Sequence, residues 1–273
     1  MRASIRRAVG GLAVVLAGCS GPSGGLQAVD HGRAVAGAGH VEAAEIKVLS
    51  AGAVRAIVTA LAPAFEKETG LKVAMTFGTV GVVRQKLATE HVDVVIMSDT
   101  ALDEAIKQGR VEAASRTDIA RTGIGVAVRE GAFKPDISTS GALKQALLAT
   151  KSLTYVDPAQ GGTSGIHFAG VLQRLGIADA VKAKTTLVPG GYPAELVARG
   201  EVEMVVHQIS EILPVKGVTL VGPLPRDVQK ITTYSAGVPA KAEMIEAAHA
   251  FIAFLASPSA KPKFAAAGLD YKE

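Results

Sequence analysis

The run Val92-Asp-Val-Val-Ile-Met97 is apolar at every position but Asp93. A strand apolar on both faces must be covered on both faces, which points to a parallel sheet with helices above and below it. The flanking sequence repeats that unit. Ile46 to Ser50 reads as a strand, Ala51-Gly52-Ala53 as a turn, and Val54 onward as a helix with Ile57, Val58, Leu61 and Phe65 in phase, stopping at Thr69-Gly70. Leu71 to Phe77 is a second strand. Gly78-Thr79-Val80-Gly81 then turns into a helix that carries Val83 and Leu87, with Arg84, Gln85 and Lys86 on its outer face. After the third strand, Ser98-Asp99-Thr100 caps a helix that ends at Gly109. Three strand–turn–helix units in succession predict an α/β layer with a parallel sheet. Ligands of such sheets sit at the carboxyl ends of the strands, here Ser50–Ala53, Gly78–Gly81 and Met97–Asp99.

A second α/β group follows. Ile124 to Val128 is a strand, Ser140 a cap for a helix over Ala142–Ala149, and Leu153 to Val156 a short buried strand stopped by Pro158. Gly161, Gly162 and Gly165 allow a tight turn, and Thr163 or Ser164 can cap the helix that shows Phe168, Ala169, Leu172 and Leu175 on one face. A short helix near Asp179–Lys182 precedes a strand over Thr185–Val188, which leads into Pro189-Gly190-Gly191-Tyr192-Pro193. Pro193 suits the first position of a helix ending at Arg199-Gly200. Val202 to Val206 is a buried strand that delivers His207 and Gln208. Val218–Gly222 and Ile231–Val238 are further strands, followed by a helix over Ala242–Leu255 and a last one ending near Gly268. A strand, a Gly-rich turn and a helix start together leave unpaired backbone N–H groups that attract an anion without a basic side chain. A single such turn is equally a loop with a good cap; its recurrence along the chain favours the anion.

The N-terminus is of another kind. Residues 1–19 carry a basic start (Arg2, Arg6, Arg7), an apolar run from Ala8 to Gly18 too short to span a bilayer, and then Leu16-Ala17-Gly18-Cys19. This resembles the lipobox of bacterial lipoproteins, in which the Cys is lipidated; the competing reading is an ordinary signal peptide with a chance Cys near its end. Cys19 is the single Cys of the chain, as suits export. Residues 20–44, rich in Gly, Ala and Ser, read as a flexible tether. The expected organisation is a signal peptide over 1–19, the tether over 20–44, a first lobe from 45–123 and 220–273, and a second lobe over 124–219. The expected location is the periplasm, membrane-anchored as a lipoprotein. The formal net charge of +4 is scattered, aromatics are 4% and Trp is absent, so no basic stripe with interleaved aromatics exists and nucleic-acid binding is excluded.

Taken together, Ile46-Lys-Val-Leu-Ser-Ala-Gly, Ala64-Phe-Glu-Lys-Glu-Thr-Gly70, Thr76-Phe-Gly-Thr-Val-Gly81, Val92-Asp-Val-Val-Ile96, Tyr155-Val-Asp-Pro158 and Thr233-Tyr-Ser resemble the type II periplasmic solute-binding proteins, in the branch that includes molybdate-binding proteins. The resemblance covers Ile46 to Tyr271. It implies an α/β fold of two lobes, each a mostly parallel sheet flanked by helices, joined by two crossing strands, for which Ile124–Val128 and Ile231–Val238 are the candidates. It also implies a monomer that hands a small anion, oxyanion or carboxylate, to an ABC transporter permease and touches the membrane only through its lipid anchor. The ligand-binding set carried over is Gly52, Ala53, Thr79, Val80, Gly81, Ser98, Thr163, Ser164, Tyr192, His207 and Gln208. Two of these, Ala53 and Val80, depart from the molybdate pattern, for the family's binding serines fall there; its binding Tyr falls near His207.

A second similarity, to the aconitate isomerases of the same fold, is carried by Lys134-Pro-Asp-Ile-Ser138, Val197-Ala-Arg-Gly-Glu201, Gln208-Ile-Ser-Glu211 and Gln229-Lys230. It implies a carboxylate ligand and an enzyme that moves a proton along an allylic system, which needs a base near carbon and donors on the carboxylates. His207 is the base if the chain is an isomerase, since its ordinary pKa lies near neutrality; otherwise it is a neutral hydrogen-bond donor. Arg55 and Arg84 each lie one turn into a helix whose start faces the expected cleft, placed either to pair with a carboxylate or to face solvent. No Cys/His cluster, P-loop or nucleophile elbow is present, so no metal or cofactor is expected. The leading expectation is a non-catalytic receptor, the alternative an isomerase, and a weaker third a sensor or scaffold lipoprotein.

Overall fold

The computed structural model describes residues 44–269; the expected signal peptide, Cys19 and nearly all of the tether lie outside them. The chain runs β1 (Glu45–Ala51), α1 (Arg55–Thr69), β2 (Lys72–Gly78), α2 (Val80–Thr89), β3 (Val94–Ser98), α3 (Asp99–Lys107), β4 (Thr117–Thr122) and β5 (Ile124–Arg129). It continues with α4 (Ser140–Ala149), β6 (Leu153–Val156), α5 (Thr163–Arg174), α6 (Ala178–Lys182), β7 (Thr185–Val188), α7 (Ala194–Ala198), β8 (Met204–Gln208) and α8 (Ile209–Ile212). Last come β9 (Val218–Pro223), β10 (Thr232–Gly237), α9 (Ile245–Leu255) and α10 (Lys261–Ala266).

The strands form two five-stranded sheets of matching order, β2-β1-β3-β10-β4 and β7-β6-β8-β5-β9. In each sheet four strands run one way and one is reversed, β10 in the first and β5 in the second. Each reversed strand is the one that has just entered from the other lobe, which is why two mostly parallel sheets end as mixed ones. β3 is buried at every position, as its apolar run predicts, and the first core packs around it with Leu49, Phe65, Leu102 and Phe251. Gly70 closes α1 in the left-handed region (φ 75°), the conformation a Gly C-cap supplies without steric cost.

The outgoing crossing passes through Gly123, between β4 and β5, and the return crossing spans residues 224–231, between β9 and β10. Both lie directly before the strands expected to carry them. Gln229 braces the two together: its Oε1 accepts from the Ile124 N–H at 2.9 Å and its Nε2 donates to the Ile124 carbonyl at 2.8 Å. β4 went unread in the sequence, because Thr117-Asp-Ile-Ala-Arg-Thr122 lies at a sheet edge and half of it faces solvent, so it carries no apolar run. The expected lobe boundary between residues 219 and 220 falls inside β9, which is paired to β5 along its length and keeps the second sheet intact to Pro223.

The C-terminal segment returns to the first lobe. The Phe251 ring on α9 meets Phe65 on α1 edge-on at 5.0 Å. Asp93, 4% exposed, pins the same junction, accepting from Lys47 N at 2.8 Å, Met244 N at 2.9 Å and Glu243 N at 3.0 Å. The one polar residue of the Val92–Met97 run therefore caps the approach to α9.

Candidate functional site

The carboxyl ends of β1, β2, β6, β7 and β8 converge on a cleft of about 410 Å³ between the two sheets, within the usual span of about 300–1,000 Å³ for small-molecule sites. From the first lobe, the cleft is lined by the turn Ala51-Gly52-Ala53, Arg55, Phe77 and the start of α2 at Thr79 and Val80. From the second come Gln160, Gly162, Thr163, the Pro189–Tyr192 turn, His207 and Glu211, and Tyr234 completes the wall. The starts of α2 and α5 both reach it, and the first-turn N–H groups of a helix have no intrahelical partner. Thr79 caps α2 by accepting from Val82 N at 3.2 Å. Thr163 is the first residue of α5 rather than its cap, which is Gly162. Its hydroxyl is free for other work: Gln208 Nε2 donates to it at 2.9 Å, and it lies 3.2 Å from the Tyr234 hydroxyl. Gln208 Nε2 also donates to Tyr234 at 3.2 Å, so the three side chains tie the second lobe to β10 of the first.

The expected site residues separate into two groups. Gly52, Ala53, Thr79, Val80, Thr163, Tyr192 and His207 line the cleft. Ser98, Ser164 and Gln208 are buried behind it, with Ser98 Oγ facing Thr100 Oγ1 at 3.5 Å and Gln208 engaged as above. Gly81 meets Gly161 of the other lobe. Its N–H donates to the Gly161 carbonyl at 3.2 Å, while the Thr79 hydroxyl donates to the Gln160 carbonyl beside it. A Cβ on Gly81 would stand 2.5 Å from the Gln160 carbonyl oxygen, and one on Gly161 2.6 Å from the Gly81 Cα, so two backbones touch where neither can carry a side chain. Of the two candidate arginines, Arg84 is exposed on α2 and Arg55 turns into the cleft.

Three groups supply charge and protons there. The Arg55 guanidinium lies 4.8 Å from the Phe77 ring centre and 5.5 Å from that of Tyr192, and its buried Nε has no hydrogen-bond partner among the described residues. His207 is 2% exposed, and its Nδ1 likewise finds no partner among the described residues. Its Nε2 stands 3.6 Å from Glu211 Oε2. Burial pushes His207 down to about 3 and Glu211 up to about 8, the nearby Arg55 charge only partly opposing the second shift. At neutral pH both are therefore mainly uncharged, and their approach is a contact between a neutral imidazole and a neutral acid. Burial also raises the phenols of Tyr192 and Tyr234, so both remain hydroxyl donors.

Glu211 and Tyr234 escaped the sequence reading as chemistry. Both lie within runs that carry the resemblances, Gln208-Ile-Ser-Glu211 and Thr233-Tyr-Ser. A charged residue three positions beyond a fully buried strand was the available signal for Glu211, since a strand end in this fold points at the cleft. Among the described residues, no group of three or more His, Cys, Asp or Glu side chains is placed to hold a metal ion.

A family model described as bacterial extracellular solute-binding protein matches residues 46–270. The chain is 37% identical over 231 residues to a protein named aconitate isomerase from a Pseudomonas species, covering 82% of this chain and 87% of that protein. It is 25% identical over 248 residues to the molybdate-binding protein ModA of Escherichia coli, covering 88% and 94%. Among solved structures, the periplasmic molybdate-binding protein of Azotobacter vinelandii superposes with a TM-score of 0.69 at 19% identity, over 84% of this chain and 100% of that one. The expected two-lobed α/β fold is the fold of these neighbours.

Proposed function

The chain belongs to the family of bacterial extracellular solute-binding proteins, and from that premise we propose that it binds a small carboxylate anion in the interlobe cleft with Arg55 as the fixed positive charge. One observation carries this reading: the Arg55 guanidinium is held between Phe77 and Tyr192, with a buried Nε that lacks a protein partner among the described residues. A guanidinium with a buried, unpartnered N–H is best satisfied by a planar carboxylate that accepts two parallel hydrogen bonds. The starts of α2 and α5, with the hydroxyls of Thr163 and Tyr192, supply further donors around the same space. Ala53 and Val80 stand where the molybdate pattern expects serines. Each missing hydroxyl removes a hydrogen bond to charge worth about 1.5–3 kcal/mol, which disfavours a tetrahedral oxyanion.

Calorimetric titration of the purified protein with di- and tricarboxylates, molybdate and sulfate tests the reading. A carboxylate should bind more tightly than either oxyanion. Submicromolar molybdate binding with no carboxylate response would refute it. Closure of the two lobes on the ligand would present the complex to the permease of an ABC importer, with the body held at the membrane through lipidated Cys19. Replacing Cys19 by Ser should release the protein from the membrane fraction; unchanged fractionation would assign the anchor elsewhere.

A second reading is favoured by a separate observation, the Glu211 carboxyl and His207 imidazole lying together in the cleft of a chain 37% identical to an aconitate isomerase. A receptor has no evident need for a group that can exchange a proton with its ligand, whereas an allylic isomerase requires one. Incubation with cis- or trans-aconitate discriminates the two: interconversion supports the enzyme, and its absence at high protein concentration leaves the receptor.

A further inference from the structure

Building on the isomerase reading, we propose that Glu211 is the catalytic residue, its carboxylate taking a proton from the methylene carbon of an unsaturated tricarboxylate and returning it to the other end of the allylic system. The carboxyl projects from α8 in the second lobe and reaches the first. A Cβ placed on Gly52 would come within 2.7 Å of Glu211 Oε1, so the absence of a side chain at Gly52 is what lets the acid approach the turn before α1. Its other oxygen faces His207 Nε2. No described residue donates a hydrogen bond to it, and it lines the cleft shared with Arg55. An acid left without a protein partner, between the two lobes and beside a fixed guanidinium, is placed to act on what the cleft holds.

The step balances without a co-reactant. The C–H bond of the methylene breaks, its proton goes to Glu211, and the electron pair enters the allylic system and the attached carboxylates. A new C–H bond then forms at the former vinyl carbon, using the same proton, and the double bond has moved. Arg55 and the starts of α2 and α5 stabilise the negative charge spread over the carboxylates in between. The ionisable groups around Glu211 are Arg55 from α1, Tyr192 from the turn before α7, His207 from β8 and Tyr234 from β10. Burial makes the ionised form of Glu211 a stronger base than an exposed carboxylate and makes the His207 ring a poor proton acceptor. The base role that the sequence reserves for His207 therefore passes to Glu211. His207 becomes a positioning residue, its ring lying beside the carboxyl with Nε2 3.6 Å from Oε2.

The test uses the full chain with cis- and trans-aconitate as probes, following interconversion by proton NMR and binding by calorimetry. Glu211→Gln keeps the shape of the protonated acid. It should lower turnover at least about 100-fold, the scale of a lost general base, while affinity for aconitate stays within about fivefold. His207→Asn should keep more than about a tenth of the parent rate and shift the pH at which the rate levels off, which a purely structural role would not do. Parent turnover should rise with pH, pass its half-maximal value near 8, where half of Glu211 is ionised, and level off above that; this profile also decides the matter if Glu211→Gln fails to fold. A Glu211→Gln rate within tenfold of the parent, or a flat parent profile between about pH 6 and 9, would overturn the assignment and leave the isomerase reading standing. A parent that binds aconitate and never interconverts it would overturn the isomerase reading itself and this assignment with it.

Discussion

His207 Nε2 stands 3.6 Å from Glu211 Oε2, and burial drives both groups toward their uncharged forms. The pair therefore writes itself into the pH dependence of stability. Glu211 has a folded-state pKa of about 8 against an ordinary 4.5, so the native state keeps a proton that the unfolded chain releases, and stability falls as pH rises across that window. His207 has a folded value of about 3 against 6.5, so there the unfolded chain binds more protons and stability rises with pH. The two oppose each other between 4.5 and 6.5, and of the pair only Glu211 acts from 6.5 to 8. The melting temperature measured by calorimetry should fall from pH 6.5 to 8 in the parent and stay level in Glu211→Gln. A parent that is level over that range would mean that Glu211 is ionised in the fold at neutral pH.

Arg55 should control carboxylate affinity through its geometry as well as its charge. Arg55→Lys keeps the charge but loses the planar fork and the stacking on Phe77 and Tyr192, and should weaken binding about tenfold, or about 1.4 kcal/mol. Arg55→Ala should cost at least about 100-fold. Arg84→Ala, on the exposed face of α2, should leave the affinity unchanged. Calorimetric dissociation constants for the three variants check the order, and equal losses at Arg55 and Arg84 would mean that only the overall field matters.

Asp93→Ala should destabilise the protein without touching the ligand. It leaves the partly buried N–H groups of Lys47, Glu243 and Met244 without their carboxylate, at a cost of about 1–3 kcal/mol. Chemical denaturation should report that loss while carboxylate affinity at saturating folded protein is retained. A change below about 0.5 kcal/mol would show that the contacts of Phe65 with Phe251 and Phe254 hold α9 unaided.

Thr79→Ala and Ser98→Ala should differ sharply, although both residues stand between a strand's end and the first residue of a helix. Thr79 caps α2 and donates across the lobes to Gln160, so its loss should cost about 1 kcal/mol of stability and weaken ligand binding severalfold. Ser98 makes no cap hydrogen bond and lies behind the cleft, so binding should stay within about twofold. Parallel titrations of the two variants decide it.

The sequence made the layered architecture legible because its signal is repetitive. A buried strand such as β3 is apolar from Val94 to Met97, and helices such as α1 repeat their apolar face until a Gly stops them. β4 carried no such signal, since an edge strand with one solvated face reads like a polar loop. The site was legible as a set of turns at strand ends, which placed Gly52, Thr79, Thr163, Tyr192 and His207 around one space. It was not legible at the level of depth. Ser98 and Thr79 occupy similar places at the ends of their strands, and only packing decides which hydroxyl faces the cleft and which is sealed behind it. Arg55 posed the same difficulty: a helix pattern gives its angular position but not whether aromatic rings such as Phe77 and Tyr192 enclose it.

The Gly81–Gly161 contact has a kinetic meaning. Where it forms, the lobes meet through bare main chain, and parting them there breaks the Gly81 N–H bond and its Thr79 neighbour, while the Thr163 and Gln208 contacts with Tyr234 part elsewhere. A seam of that kind opens as a small, all-or-none event. Anything enclosed behind it can leave only when that event occurs, and contacts that span both lobes slow it. Residence time thus depends on the chain's own fastening as well as on the ligand, and a side chain added at Gly81 or Gly161 should shorten the dwell of every ligand alike.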